Sequence, residues 1–345
     1  MIFPKFIKPG DTIAVTALSR GMEEETEIIR FESGKAALEN LGYKVIFTDN
    51  VFAGNDRFGR SAPAKEKARQ LNKLIRDPSV RAIYSAGGGD FLAEILPYVD
   101  VEAFKKDPKW IQGFSDNTSI LYYLATKADV ATAYGANFGD FGMEPWEKSV
   151  KNGLALLEGR TAKQTSFTTY QDGFGHYETG LEGYRRDAKV EWKNVTGEKD
   201  GKIEMKGRLI GGCMDVVMNI SGTPYDGTLD FIERYKDDGI IWYLESFDIH
   251  FEQLMEYFWK MKEMGWFRHC SGIVFGRPLF FPTEGYDGTP LPSYEDIIHE
   301  RLDELKVPII MDADIGHKGP QFVMINGALA KIVSAGGKGR MTLKY

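Results

Sequence analysis

The sequence predicts an α/β protein: a doubly wound domain on a parallel sheet over residues 1–160, a crossover and insert at 161–206, and a second domain at 207–345. Three observations support this. Short β-rich apolar runs alternate with helix-patterned stretches through the first half, as in βα units on a parallel sheet. After Gly159 the chain turns polar, rich in Thr, Gly, Lys and Asp, which marks a junction. Its 345 residues also exceed what one core usually encloses.

In chain order, Lys8-Pro-Gly-Asp11 makes a turn before Thr12-Ile-Ala-Val-Thr-Ala17, a buried first strand. The acidic run Glu23-Glu-Glu-Thr-Glu27 suits a helix N-terminus, and the helix it opens continues to Leu41 and stops at Gly42. Residues 44–48 read as the next strand. Ser61-Ala-Pro-Ala-Lys-Glu66 reads as an N-cap with proline in the first turn, leading a helix through Ile75. Residues 81–85 and 109–113 are strands that end in Ala86-Gly-Gly-Gly-Asp90 and in Gly113-Phe-Ser-Asp-Asn117. They pass into helix-like stretches at 91–96 and 118–128, and 130–134 is a further strand.

Beyond the junction, residues 208–215 lead a helix ending at Ile220, and 240–246 form a strand that delivers Glu245. Phe251, Leu254, Phe258 and Met261 fall at helical spacing within 250–264. Residues 272–276 and 307–311 read as strands, with a helix at 294–305 between them. The tail at 328–333 and 340–344 reads as an antiparallel hairpin across Gly336, Gly337 and Gly339.

Composition narrows the function. The net charge of −7 lacks the basic excess a nucleic-acid partner requires. No apolar run approaches the ~20 residues of a membrane span, and the start lacks a signal-peptide pattern. A cytoplasmic protein with no membrane partner is expected. The two cysteines, Cys213 and Cys270, form no CxxC pair, and no His/Cys cluster has zinc spacing. No Gly-x-Gly-x-x-Gly follows the first strand, where Leu18-Ser-Arg-Gly21 stands, which disfavours a nucleotide-dependent oxidoreductase. Neither metal nor cofactor is expected.

The two Gly-rich turns carry the chemistry. A strand that ends in glycines and hands over to a helix leaves backbone N–H groups aimed at one spot. The second turn adds the Ser115 hydroxyl at the corner, so the pair could form an oxyanion hole facing a nucleophile. Serine acylation also needs a base and a carboxylate. Of the five histidines, His176, His250, His269, His299 and His317, the last sits in a Gly-flanked loop just after a strand. Glu245, at a strand end, can serve a site at the carboxyl edge of a sheet. Each feature has a plainer reading too: Ser115 as a helix N-cap, Glu245 as a solvent-facing strand end, Gly87-Gly-Gly89 as a tight turn. A non-catalytic anion or nucleotide binder is the rival from another class.

Ala86-Gly-Gly-Gly-Asp90, Gly113-Phe-Ser-Asp116, Gly207-Arg-Leu-Ile-Gly-Gly212, Tyr243-Leu-Glu-Ser246 and Gly316-His317 follow in an order and spacing that resemble the LD-carboxypeptidase family of serine peptidases. The likeness extends from the Lys8-Pro-Gly-Asp11 turn to the His317 loop. It implies an N-terminal Rossmann-like domain, a C-terminal β-rich α/β domain and an active site between them. It further implies a Ser115–Glu245–His317 triad, with an oxyanion hole from the Gly88 and Asp116 amides. Cytoplasmic homodimers without a metal are implied as well. Two substrate classes follow from the family: murein tetrapeptides, which lose D-alanine at an L–D bond, and the peptidyl- or aminoacyl-nucleotides of the microcin-immunity (MccF-like) branch.

The chain's length, Tyr134-Gly-Ala-Asn-Phe138 and the long 180–206 insert resemble the latter branch more. That branch packs an aromatic residue of the insert on the nucleotide base, so Trp192 is a candidate stacking residue, with ordinary loop packing as its rival. Gly89, Asn137 and Cys213 complete the expected substrate contacts. Cys213 stands where the family usually has asparagine, and Asp90-Phe-Leu-Ala-Glu94 replaces a more polar segment, so a substrate contact is expected to be lost or moved.

Overall fold

A computed structural model describes residues 1–345 except His176 and Asp200. Its first sheet has six strands, in the order Met324–Asn326, Thr132–Tyr134, Trp110–Gly113, Val80–Ser85, Thr12–Thr16, Lys44–Phe47. The five N-terminal strands are mutually parallel. The chain starts in the middle, adds Lys44–Phe47 on one side and then builds outward on the other. The direction of winding therefore switches between Thr12–Thr16 and Val80–Ser85, and α/β ligand sites lie at the carboxyl ends of strands beside such a switch. The sixth strand comes from the far end of the chain and runs antiparallel against Thr132–Tyr134.

The second sheet has eight strands, in the order Lys163–Thr165, Lys338–Lys344, Leu329–Ala335, Lys202–Cys213, Ile240–Glu245, Cys270–Gly276, Ile309–Ala313, Lys193–Asn194. Its middle is parallel and its flanks are antiparallel. The expected C-terminal hairpin is present, turning at Gly336 and Gly337, which both have positive φ. The mixed α/β class with a second β-rich unit holds.

Local chemistry explains most boundaries. The Glu25–Asn40 helix is closed at its start by a capping box of Glu24 and Glu27. The Ala64–Arg76 helix begins after Pro63, and Ser61 does not cap it. Ser61 is instead buried, donating to the Ala17 carbonyl at 2.7 Å.

The largest departure from expectation is Lys202–Cys213, where residues 208–213 form strand rather than a helix lead-in. Gly211 and Gly212 obscure the strand pattern, and packing explains both. A Cβ on Gly211 would lie 1.7 Å from the Tyr243 carbonyl oxygen, and one on Gly212 2.5 Å from Thr118. Only glycine lets this strand press against its neighbour and against the Thr118–Lys127 helix that follows Ser115.

Candidate active site

Ser115 sits at a corner between the Trp110–Gly113 strand and the Thr118–Lys127 helix. Its backbone is left-handed, with φ +64°, a conformation that costs a non-glycine residue ~1–3 kcal/mol and lifts the hydroxyl clear of the sheet. Asn117 holds the corner, its amide donating to the carbonyls of Gly87 at 3.0 Å and Phe114 at 2.9 Å. Asn137 supports it from the other side, accepting from the Phe114 N–H at 3.2 Å.

The neighbouring Val80–Ser85 strand ends in the glycine turn. A Cβ on Gly88 would stand 3.0 Å from Ser115 Oγ, so the bare backbone approaches the hydroxyl. Among the described residues neither the Gly88 nor the Asp116 amide has a protein acceptor. The Asp116 side chain turns away from them. It accepts from Ser19 Oγ at 2.6 Å and the Leu92 N–H at 2.9 Å, and burial pushes its carboxyl up to about 6.

Glu245 closes the Ile240–Glu245 strand, fully buried. Its Oε2 lies 2.8 Å from His317 Nδ1, and His317 Nε2 lies 3.0 Å from Ser115 Oγ. Burial pushes the Glu245 carboxyl up, but the His317 charge and hydrogen bonds from His317, Tyr134 and Cys213 outweigh it and hold the group below its usual range. An ionised carboxylate only accepts, so Nδ1 carries the imidazole proton and the Nε2 lone pair faces Ser115. Burial lowers the imidazole pKa, the carboxylate raises it, and the carboxylate prevails. A Cβ on Gly316 would lie 2.5 Å from Glu245 Oε2, which is why glycine precedes this histidine.

Tyr134 joins the hydrogen-bonded chain of Ser115, His317 and Glu245, and sequence reasoning missed it. Its hydroxyl donates to Glu245 Oε1 and accepts from the Ser115 N–H at 3.3 Å. The Phe114 and Phe247 rings flank the imidazole, with centroids 5.1 and 5.0 Å away.

A cavity of about 480 Å³ opens beside His317 and Gly88. Its far wall carries Arg20, Arg30, Phe174, Tyr177, Tyr184 and Arg185. The recurrence of aromatic and basic residues in an otherwise polar crossover was the available signal for Phe174, Tyr177, Tyr184 and Arg185, whereas Arg20 and Arg30 come from the N-terminal segment. Among the described residues no group of His, Cys, Asp and Glu could hold a metal ion, and no helix is long and apolar enough to cross a membrane.

Family models for the LD-carboxypeptidase N-terminal domain and the LD-carboxypeptidase C-terminal domain match residues 13–135 and 206–332. The chain belongs to the LD-carboxypeptidase family. It is a serine carboxypeptidase. A Vibrio cholerae protein named as a carboxypeptidase is 29% identical over 94% of this chain and 92% of its own length. The microcin C7 self-immunity protein MccF of Escherichia coli is 27% identical over 91% of this chain and 88% of its own. The solved MccF-like protein of Bacillus anthracis shares the fold across the whole of both chains, with a TM-score of 0.80 at 24% identity.

Of the expected substrate contacts in this carboxypeptidase, Asn137 lines the cavity. Trp192 does not. It is 3% exposed, donates from Nε1 to Asp314 at 3.0 Å and packs on Phe322 and against Gly339, so it is a core residue and not a base-stacking one. Cys213 is also buried away from the cavity, beside Glu245 in the sheet register, with its amide bonded to Thr118 Oγ1 at 3.1 Å. Gly89 lies outside the cavity wall as well; its φ of +140° and a close approach to Ser19 make it a turn residue.

Proposed function

We propose that this carboxypeptidase hydrolyses the amide joining a peptidyl or aminoacyl group to a modified nucleotide, using Ser115, His317 and Glu245 as its triad. The observation that carries the reading is the cavity beside the nucleophile, walled by Tyr177, Tyr184 and three arginines, of which Arg20 and Arg185 are paired with Glu27 and Asp187; Glu27, Asp140 and Glu182 line it as well. Aromatic faces suit a heteroaromatic base, and guanidinium groups suit the anionic linkage of a nucleotide. The E. coli MccF protein, whose fold this chain shares, is solved with glutamyl sulfamoyl guanosine and with aspartyl sulfamoyl adenosine.

In the proposed reaction Ser115 Oγ attacks the acyl carbonyl while its proton passes to His317 Nε2. The carbonyl oxygen takes up negative charge and lies against the Gly88 and Asp116 amides, a type of contact worth about 10²–10³ in rate. The imidazolium gives its proton to the departing nitrogen, the C–N bond breaks and an acyl-serine remains. Water, deprotonated by His317, then releases the acid and restores the serine. Glu245 fixes the imidazole tautomer and offsets its transient charge. Because the base must be neutral and its pKa is raised, activity is expected to fall on the acid side from a point above the usual imidazole value of 6.5. By the same family likeness the enzyme is proposed to act as a cytoplasmic homodimer.

Murein tetrapeptides are the second reading. The muramoyltetrapeptide carboxypeptidase of Oxalobacter formigenes shares the fold at a TM-score of 0.72 over 97% of this chain. Mass-spectrometric product analysis of wild type and Ser115→Ala separates the two. Cleavage of an aminoacyl-sulfamoyl adenosine by wild type alone supports the nucleotide reading. Release of D-alanine from an L–D tetrapeptide alone replaces it with the murein reading. Equal behaviour of Ser115→Ala and wild type would remove the triad.

A further inference from the structure

Beside the imidazole, and outside the uses made of the site so far, three phenylalanines form a triangle. Phe247, Phe280 and Phe174 have ring centroids 5.5, 5.8 and 6.0 Å apart. Phe247 touches His317, while Phe174 also lines the cavity. The triangle is not a piece of core, because Phe174 is 58% and Phe280 44% exposed. The backbone is nevertheless fixed at two of the three, Phe247 and Phe280. The Phe280 N–H donates to the Phe247 carbonyl at 2.8 Å, and Asp215 accepts from the N–H groups of Phe247 and Asp248 at 3.0 and 3.1 Å. An exposed apolar cluster adjoining a reactive centre, with the backbone held at Phe247 and Phe280, marks a ligand contact.

The charges around it favour one class of ligand. Asp215 and Asp248 lie at the backbone of Phe247, Glu245 is fully buried two residues away against His317, and Lys318, next to His317 in the chain, is paired with Asp172. An acidic group placed there would approach the Asp215 and Asp248 carboxylates.

We propose that Phe174, Phe247 and Phe280 form the subsite for the side chain of the residue whose carbonyl Ser115 attacks, and that this subsite selects an aromatic or aliphatic side chain over an acidic one. The inference rests on Ser115 as nucleophile and on an acyl group seated against Phe247 and Phe280, where Phe174 borders the cavity that takes the leaving group. Burying an aryl group against such a surface gives about 10- to 100-fold discrimination.

The test uses two probes of Ser115 with the same fluoride leaving group, a phenylalkyl and a carboxyalkyl fluorophosphonate, alongside phenylalanyl- and aspartyl-sulfamoyl adenosine. Faster labelling by the phenylalkyl probe is expected, by about tenfold or more. Phe280→Ala and Phe174→Ala, both at exposed positions, should each reduce that preference several-fold. For a cleaved nucleotide substrate the loss should appear in KM with kcat retained. Equal or faster labelling by the carboxyalkyl probe, or a preference unchanged in both variants, overturns the subsite. If neither sulfamoyl adenosine is cleaved but labelling keeps its phenylalkyl preference and its sensitivity to Phe280→Ala, the subsite stands and the nucleotide leaving group is what fails.

Discussion

Replacing Glu245 by glutamine probes the buried hydrogen-bonded chain at the site most directly. The substitution keeps the shape of the side chain and a possible contact to His317 Nδ1, which lies 2.8 Å from Oε2, but removes the charge. During acyl transfer the imidazole becomes a cation. With charge centres ~4 Å apart and an effective dielectric constant of ~20, losing the carboxylate removes about 4 kcal/mol of stabilisation from that cation. At 1.36 kcal/mol per decade, this corresponds to roughly a thousandfold fall in kcat/KM. The pH profile should move in a defined direction. Glu245 raises the imidazole pKa against burial, which lowers it. Without the carboxylate, burial is opposed only by the smaller effect of the Asp215 charge, so the acid limb of kcat/KM should shift to lower pH while the plateau drops. The assay is a kcat/KM profile across the acid range on whichever substrate is cleaved, with circular dichroism to confirm the fold. A plateau within about tenfold of wild type, or an acid limb that moves upward, would refute the assigned role of Glu245.

Other perturbations separate chemistry from scaffold. Gly88→Ala places a methyl group 3.0 Å from Ser115 Oγ and crowds the amide behind it, so kcat should fall about 100-fold with little change in denaturation midpoint. Tyr134→Phe strips a donor from buried Glu245 and an acceptor from the Ser115 N–H; a loss of about 1.5–3 kcal/mol in urea unfolding is expected, together with reduced kcat. Trp192→Phe removes the hydrogen bond to Asp314, and should lower stability by about 1–3 kcal/mol while leaving KM unchanged. A large rise in KM in that variant would return Trp192 to the substrate.

Ser115, Glu245 and His317 stood out in the sequence as candidates because each is punctuated locally, by a strand end or by flanking glycines, but those signals fitted plainer roles equally well, and only the family resemblance joined the three. The parallel sheet was legible for a similar reason, since apolar runs and helical stretches alternate there without long interruptions. What escaped reading depends on contacts between distant segments. Tyr134 looks like any buried strand residue until Glu245 is brought to its hydroxyl. Gly211 and Gly212 resemble a loop because the constraint on them comes from Tyr243 and Thr118. Trp192 sits in a polar stretch that suggests exposure, yet Phe322 and Asp314 arrive from 130 and 122 residues away to enclose it.

The small strand Met324–Asn326 bears on how substrate can enter. The segment carrying His317 leaves the second sheet at Ile309–Ala313 and, within a few residues, is stitched into the first sheet against Thr132–Tyr134. The base is thus tethered on one side to the body that supplies Glu245 and on the other to the body that supplies Ser115. A clam-like hinge between the two bodies would have to unzip that strand before it could widen the site. The cavity is bordered by the segment between Thr169–Tyr170 and Ala188–Lys189, which contributes Phe174, Tyr177 and Tyr184 and is itself anchored where Arg30 donates to the Gly180 and Glu182 carbonyls, so access to Ser115 is set by the shape of that wall and not by separation of the two sheets.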